Sequence, residues 1–112
     1  MKRQSICKLY IDDLRPLPRG WKLARTNSEA IDILSSGKVR EVSIDHDIMP
    51  IGYTSQDDET FMPTARFIAA MPPSKHPKMV TIHTSSPTGA ARMAKLFREA
   101  GIPCRRAGQD PE

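Results

Sequence analysis

Met79-Val80-Thr81-Ile82-His83-Thr84-Ser85-Ser86-Pro87-Thr88-Gly89, running on through Ala90 and Met93 to Gly101, decides how this chain is read. The first four residues are β-branched or long and apolar, which suits a short buried strand. Within four more residues the period changes. Ser86 is a helix-capping residue, Pro87 fits a first helical position, and Ala90, Met93, Phe97 and Ala100 recur at helical spacing until Gly101 stops them. A strand feeding a capped helix through a tight turn is half of a β-α-β unit. Such units build parallel sheets through right-handed crossovers.

Outward from that stretch, Lys8 to Ile11, Trp21 to Arg25 and Val39 to Ile44 read as three further strands. A weaker fifth, Pro103 to Arg106, belongs at an edge because Pro103 has no N–H for a central ladder. Thr26-Asn27-Ser28-Glu29 fits a capping box, followed by an apolar stripe of Ala30, Ile31 and Leu34 and a stop at Gly37. Another helix is expected from near Pro63 to Met71, burying some of Ala65, Phe67, Ile68 and Met71 before Pro72-Pro73. Between the first two strands, Arg15-Pro16-Leu17-Pro18-Arg19-Gly20 has too many helix breakers for anything but a loop. The expected architecture is a single-domain α/β fold, a three-layer α/β/α sandwich. Its mostly parallel sheet has order 2-1-3-4-5, with the first crossover helix missing. The domain spans 1–112, with a core over about 7–107 and a tail at 108–112.

Length and composition agree with one soluble globular domain: 112 residues, 38% hydrophobic and 27% charged. No apolar run approaches the roughly 20 residues that cross a bilayer, and the opening Met1-Lys2-Arg3-Gln4-Ser5 is unlike a signal sequence, so a cytoplasmic location is expected. Cys7 and Cys104 lack metal-ligand or disulfide-framework spacing and read as buried thiols. The net charge of +4 is unevenly placed. Residues 1–40 hold nine Lys/Arg against four acids, and residues 63–112 eight against three. Residues 41–62 hold six acids and no base. Acids for a cation with bases around them for a phosphate is one reading of this pattern. For Asp57-Asp58-Glu59 a solvated loop is preferred. With six aromatics in all and no basic stripe among them, neither a stacking platform for nucleic acid nor double-stranded DNA binding is expected.

In open parallel sheets, ligands bind beyond the carboxyl ends of the strands where the strand order reverses. The first strand ends in Asp12-Asp13, the third in Asp45-His46-Asp47 and the fourth in His83-Thr84-Ser85. If the first and third strands are neighbours, Asp12, Asp13 and Asp45 converge. Three crowded carboxylates then call for a hard divalent cation, Mg²⁺ or Mn²⁺. An Asp pair after a strand is also an ordinary turn, and His83 alone could be a satisfied core histidine. His76 reads as a solvated loop residue. The turn Ser85-Ser86-Pro87-Thr88-Gly89 presents a helix N-terminus to the same edge, a ready place for a phosphate or an ordinary cap. Arg15, Arg92, Arg105 and Arg106 are candidate phosphate partners, with Arg15 the best placed.

Tyr10-Ile11-Asp12-Asp13, Asp45 and Thr84 together resemble the receiver domain of response regulators, a flavodoxin-like fold. In that family paired acids hold Mg²⁺, the strand-three Asp accepts a phosphoryl group and a strand-four hydroxyl contacts it. Arg105-Arg106 stand where that family has a lysine. A nearer resemblance is to the cyclic-phosphate-processing receiver-like branch. It rests on Asp12-Asp13-Leu14-Arg15-Pro16, Gly20-Trp21, Asp45-His46-Asp47 and the run from His83 to Gly89, and it spans about residues 8–100. The segment Ile48 to Met62 is longer than the usual connection there. The resemblance implies handling of a cyclic phosphate on a nucleotide or RNA end.

The expected activity is therefore a metal-dependent phosphoesterase opening a cyclic phosphate. Asp12, Asp13 and Asp45 are expected to hold the ion, His46 and His83 to act as general base and acid, and Asp47 to orient a histidine. Arg15, Thr84, Ser85, Ser86, Gly89 and Arg92 are expected to bind the phosphate. The alternatives are a non-catalytic module binding a cyclic nucleotide or a protein, and a phospho-acceptor at Asp45.

Overall fold

The computed structural model describes residues 8–48 and 60–107. Cys7, the acids Asp57 to Glu59, the unaligned part of the segment after Ile48 and the expected tail lie outside them. Five strands, β1 (Lys8–Ile11), β2 (Lys22–Ala24), β3 (Glu41–Ile44), β4 (Met79–Ile82) and β5 (Cys104–Arg106), form one sheet of order β2-β1-β3-β4-β5. All four pairings are parallel. The helices are α1 (Asn27–Leu34), α2 (Met62–Ala70) and α3 (Pro87–Glu99). Each expected element is present, and β1 and β2 are joined by a loop. One addition is a 3₁₀ turn at Pro73–Lys75, which follows an extended step at Met71 and Pro72 where the prolines end α2.

Local chemistry accounts for the helix ends. Thr26 accepts a hydrogen bond from the Glu29 N–H at 3.1 Å, and the Glu29 carboxylate accepts from the Arg25 N–H at 2.7 Å, a capping box displaced by one residue. Gly37 follows α1 at φ 73°, a left-handed conformation that glycine adopts without a Cβ clash. Asn27, read from sequence only as part of the cap, is buried. Its Oδ1 accepts from both the N–H and the hydroxyl of Thr64, and its Nδ2 donates to the Thr60 carbonyl, so it ties α1 to α2.

The connections after β2, β3 and β4 all advance in one direction across the sheet, so right-handed crossovers place α1, α2 and α3 in one row on one face. The core lies beneath that row. Leu9, Ile11, Val42, Ile44, Val80, Ile82 and Cys104 from the sheet meet Ala30, Leu34, Ala65, Ile68, Met93 and Phe97 from the helices. Only the β1-to-β2 step runs the other way, and a loop makes it. Helices on both faces were expected; among the described residues there is one helical layer. The second face carries Tyr10, Leu23, Ser43, Thr81 and Arg105 in register. Among the described residues, no helix is long and apolar enough to cross a membrane.

A carboxylate cleft at the strand ends

The parallel ladder itself brings the site together. Each strand's last carbonyl accepts the N–H of the first residue beyond its neighbour. Ala24 accepts from Asp12 at 3.1 Å, Ile11 from Asp45 at 2.9 Å, Ile44 from His83 at 2.9 Å and Ile82 from Ala107 at 2.9 Å. Residues that are 33 and 71 positions beyond Asp12 in the chain thus become lateral neighbours. The switch point falls between β1 and β3, where Asp12 and Asp45 stand.

Asp12, Asp13 and Asp45 each offer a carboxylate oxygen within 4.8 Å of the others. Asp12 is 1% exposed. Its Oδ1 accepts from the Leu14 and Arg15 N–H groups at 2.8 and 2.9 Å, and its Oδ2 accepts from His83 Nε2–H at 2.8 Å. Burial alone pushes this carboxyl up. The Arg15 and Leu14 amides, with His83, outweigh it and hold the group below the usual carboxylate range. Asp45 goes the other way: burial pushes it up, the Asp12 charge adds to this, and the His46 amide and Thr84 hydroxyl only partly offset them. Carboxylates this close repel, so one is fixed as an anion while its neighbour resists ionising, and a cation between them would relieve both. The donor set is hard, all oxygen and closely spaced, which fits Mg²⁺ or Mn²⁺.

A cleft of about 410 Å³ is lined by Asp12, Asp13, Leu14, Arg15, Asp45, Asp47, Ile48 and Ser85. The histidines stand behind this lining. His83 is 7% exposed, and both of its nitrogens are engaged. Asp12 is an acceptor, so Nε2 carries the proton, and Nδ1 accepts from the Ser43 hydroxyl at 2.7 Å. Tyr10 stacks on its ring, with centroids 4.6 Å apart and planes 2° from parallel. Burial pushes His83 down, against the pull of Asp12 and Asp45, so the ring is neutral near pH 7. His46 donates its backbone N–H to Asp45 at 2.7 Å, and its Nδ1 meets Asp47 at 2.6 Å. Its Nε2 is buried and has no hydrogen-bond partner among the described residues.

The remaining expected residues divide. Arg15 lines the cleft, donates Nη1–H to the His83 carbonyl and holds Nε 3.7 Å from Asp12 Oδ2. Ser85 lines the cleft, and Thr84 lines an adjoining cavity. The turn amides expected to meet phosphate are largely taken: Ser86 N–H donates to the Thr84 hydroxyl and Gly89 N–H to the Ser86 hydroxyl. Gly89 instead seats His46, because a Cβ there would stand under 3.0 Å from three ring atoms. Arg92 is exposed on α3 and lines neither cavity. His76, expected to be solvated, is half-buried with Nε2 shielded.

Sequence reasoning missed Ser43, Tyr10 and Arg25. A serine inside the apolar run Val42-Ser43-Ile44 was the available signal for the first. Arg25 Nη1 donates to the Asp12 and Arg15 carbonyls and clamps the acidic turn, which nothing in its local sequence announces.

No curated protein and no solved structure matched the chain. The family model described as the cyclic-phosphate processing receiver domain matches residues 7–99. That span takes in β1 through α3 and every residue of the cleft, so the chain belongs to the cyclic-phosphate processing receiver domain family.

Proposed function

We propose that the cleft is a metal-dependent phosphoesterase site that opens a cyclic phosphate such as a 2′,3′-cyclic nucleotide end. The observation that carries this is the three-carboxylate cluster, with oxygens within 4.8 Å of one another, in one cleft with an arginine and a serine. Asp12, Asp13 and Asp45 would hold the cation. When bound, a divalent ion supplies Lewis-acid polarisation of a phosphoryl oxygen.

The chain's own residues supply the rest. Arg15 and the Ser85 hydroxyl bind the phosphate oxygens and stabilise charge as the phosphorus centre becomes more crowded. Asp47, with its side chain 59% exposed at the cleft, takes the proton from the attacking water, and His46 holds that carboxylate in place through Nδ1. The departing ribose oxygen takes its proton from solvent at the open cleft. His83 is a positioning residue: bound by Ser43, stacked by Tyr10 and donating to Asp12, it fixes one carboxylate. Relative to the sequence-based expectation, histidine and aspartate exchange parts at residues 46 and 47.

Turnover of 2′,3′-cyclic nucleotides with Mn²⁺ or Mg²⁺ tests this. Hydrolysis lost in Asp45→Asn and cut sharply in Asp47→Asn is expected; hydrolysis by neither wild type nor variant ends the reading. One observation favours a second reading. Every imidazole nitrogen of the pair is bonded or buried, as suits a module that binds a cyclic phosphate without opening it. Calorimetric binding with the ligand recovered intact would establish that.

A further inference from the structure

The carboxylate cleft has a neighbour of opposite character. A cavity of about 340 Å³ is lined by Arg15, Ile82, His83, Thr84, Ser85, Arg106 and Ala107. It shares Arg15 and Ser85 with the cleft, yet no carboxylate side chain lines it, whereas Asp12, Asp13, Asp45 and Asp47 line the cleft. The charge therefore inverts across one shared wall.

Two arginines and the Ser85 hydroxyl give this second cavity the groups that hold an anion, while the Thr84 hydroxyl beside them is already bonded to Asp45 and to the Ser86 N–H. Arg15 donates from one terminal nitrogen to the His83 carbonyl and holds Nε 3.7 Å from Asp12 Oδ2, which fixes the guanidinium on the wall that the two cavities share. Arg106 makes no ion pair among the described residues. Its place is set by the ladder, since Arg106 is the register partner of Ile82, directly beside the turn that carries Thr84 and Ser85. The two environments lie on either side of Arg15 and Ser85, so a ligand that fills both offers a separate group to each.

We infer that the substrate carries two phosphate groups, the cyclic one in the carboxylate cleft and a second in the Arg15–Arg106 cavity. This rests on the reading of the cleft given above and names its substrate class. In a nucleotide with a 2′,3′-cyclic phosphate the second group is the 5′-phosphate. It is present either as the free monoester of a mononucleotide or as the last phosphodiester of an RNA strand.

The test compares three probes with Mn²⁺ present: adenosine 2′,3′-cyclic phosphate, the same molecule with a 5′-phosphate, and the dinucleotide ApA ending in a 2′,3′-cyclic phosphate. Affinity is read by calorimetry and turnover by product analysis. The 5′-phosphate is expected to improve affinity by about tenfold, the worth of one charge-assisted hydrogen bond. Arg106→Gln should remove that gain while leaving the unphosphorylated probe unchanged, and Arg106→Lys should keep part of it. Equal gains for the dinucleotide and the 5′-phosphate point to an RNA end; a gain for the 5′-phosphate alone points to a free nucleotide. The inference is overturned if all three probes bind equally, if only the dinucleotide gains, or if Arg106→Gln weakens the unphosphorylated probe as much as the others. The last result would place Arg106 on the cyclic phosphate itself. Binding with the expected preference but no turnover would retire the phosphoesterase and keep the two-phosphate ligand. Binding of none of the probes overturns both.

Discussion

Replacing Gly89 with alanine should destabilise the protein, although in most exposed helices the same change stabilises. Gly89 is in the first turn of α3, and alanine there should gain about 0.5–1 kcal/mol from its lower backbone entropy cost. Against this, the added methyl would stand under 3.0 Å from Cγ, Nδ1 and Cδ2 of His46. The ring cannot swing aside at little cost. Its side chain is 9% exposed, Nδ1 is tied to Asp47 at 2.6 Å and its backbone N–H is bonded to Asp45. Nor can the backbone of α3 retreat freely, since the Gly89 N–H is held by the Ser86 hydroxyl at 3.1 Å. Overpacking of a buried site costs about 1–3 kcal/mol, and loss of the His46–Asp47 bond adds about 1 kcal/mol more. The net change is a loss of about 1–3 kcal/mol, a fall of roughly 5–15 °C in Tm for a domain of this size. Thermal unfolding by circular dichroism reads it directly. The decisive control is the background: in His46→Ala the clash is gone, so Gly89→Ala should turn stabilising. A Gly89→Ala protein that melts above the wild type would refute the account of His46 as a ring seated on that glycine.

Asn27→Ala should cost about 2–3 kcal/mol in chemical denaturation, because it leaves the buried Thr64 N–H and hydroxyl without their acceptor. The buried His83 predicts an acid-side loss of stability. Its folded pKa lies below the ordinary value of 6.5, so its contribution is complete above that value and is lost as pH falls from there towards the lowered folded pKa. Urea midpoints taken from pH 7.5 to 5 should decline, and His83→Gln should flatten the slope; an unchanged slope would contradict a neutral buried ring. Mn²⁺ at a hundredfold excess over its dissociation constant should stabilise the wild type by about 2.7 kcal/mol. Asp45→Asn should abolish that shift while raising the metal-free protein by up to about 1 kcal/mol, since it removes one of three crowded carboxylates.

Much of this site was readable because its residues stand directly after strands. Asp12-Asp13, Asp45 and His83 follow β1, β3 and β4, and a parallel sheet delivers such positions to one edge whatever its loops do. Their partners were not readable, for particular reasons. Ser43 is in the middle of a strand, and it meets His83 only because register pairs Ser43 with Thr81, two residues before that histidine. Arg25 follows β2, and its hold on the Asp12 turn depends on β2 lying next to β1 rather than outside β5. The glycine at 89 looked like part of a phosphate-binding turn, a pattern shared with any glycine that makes room for a side chain. The overall basicity was expected to surround the acidic pocket. Arg15, Arg25 and Arg106 do so, but Lys38, Arg40 and Lys78 line a different cavity with Gly37 and Ser74, at the amino-terminal ends of β3 and β4.

Sequence by itself determined the elements, their order, the loop in place of a first crossover helix and the identity of the carboxylates, because those follow from local periodicity, capping chemistry and the rule for parallel sheets. Tertiary structure alone decided what the histidines do. Whether an imidazole faces a cleft or the interior depends on which groups approach its two nitrogens. For His83 these are Ser43 and Asp12, contacts made across the sheet that no local pattern records; for His46 one is the adjacent Asp47, which the sequence shows, and the other is the α3 turn at Gly89, which it does not.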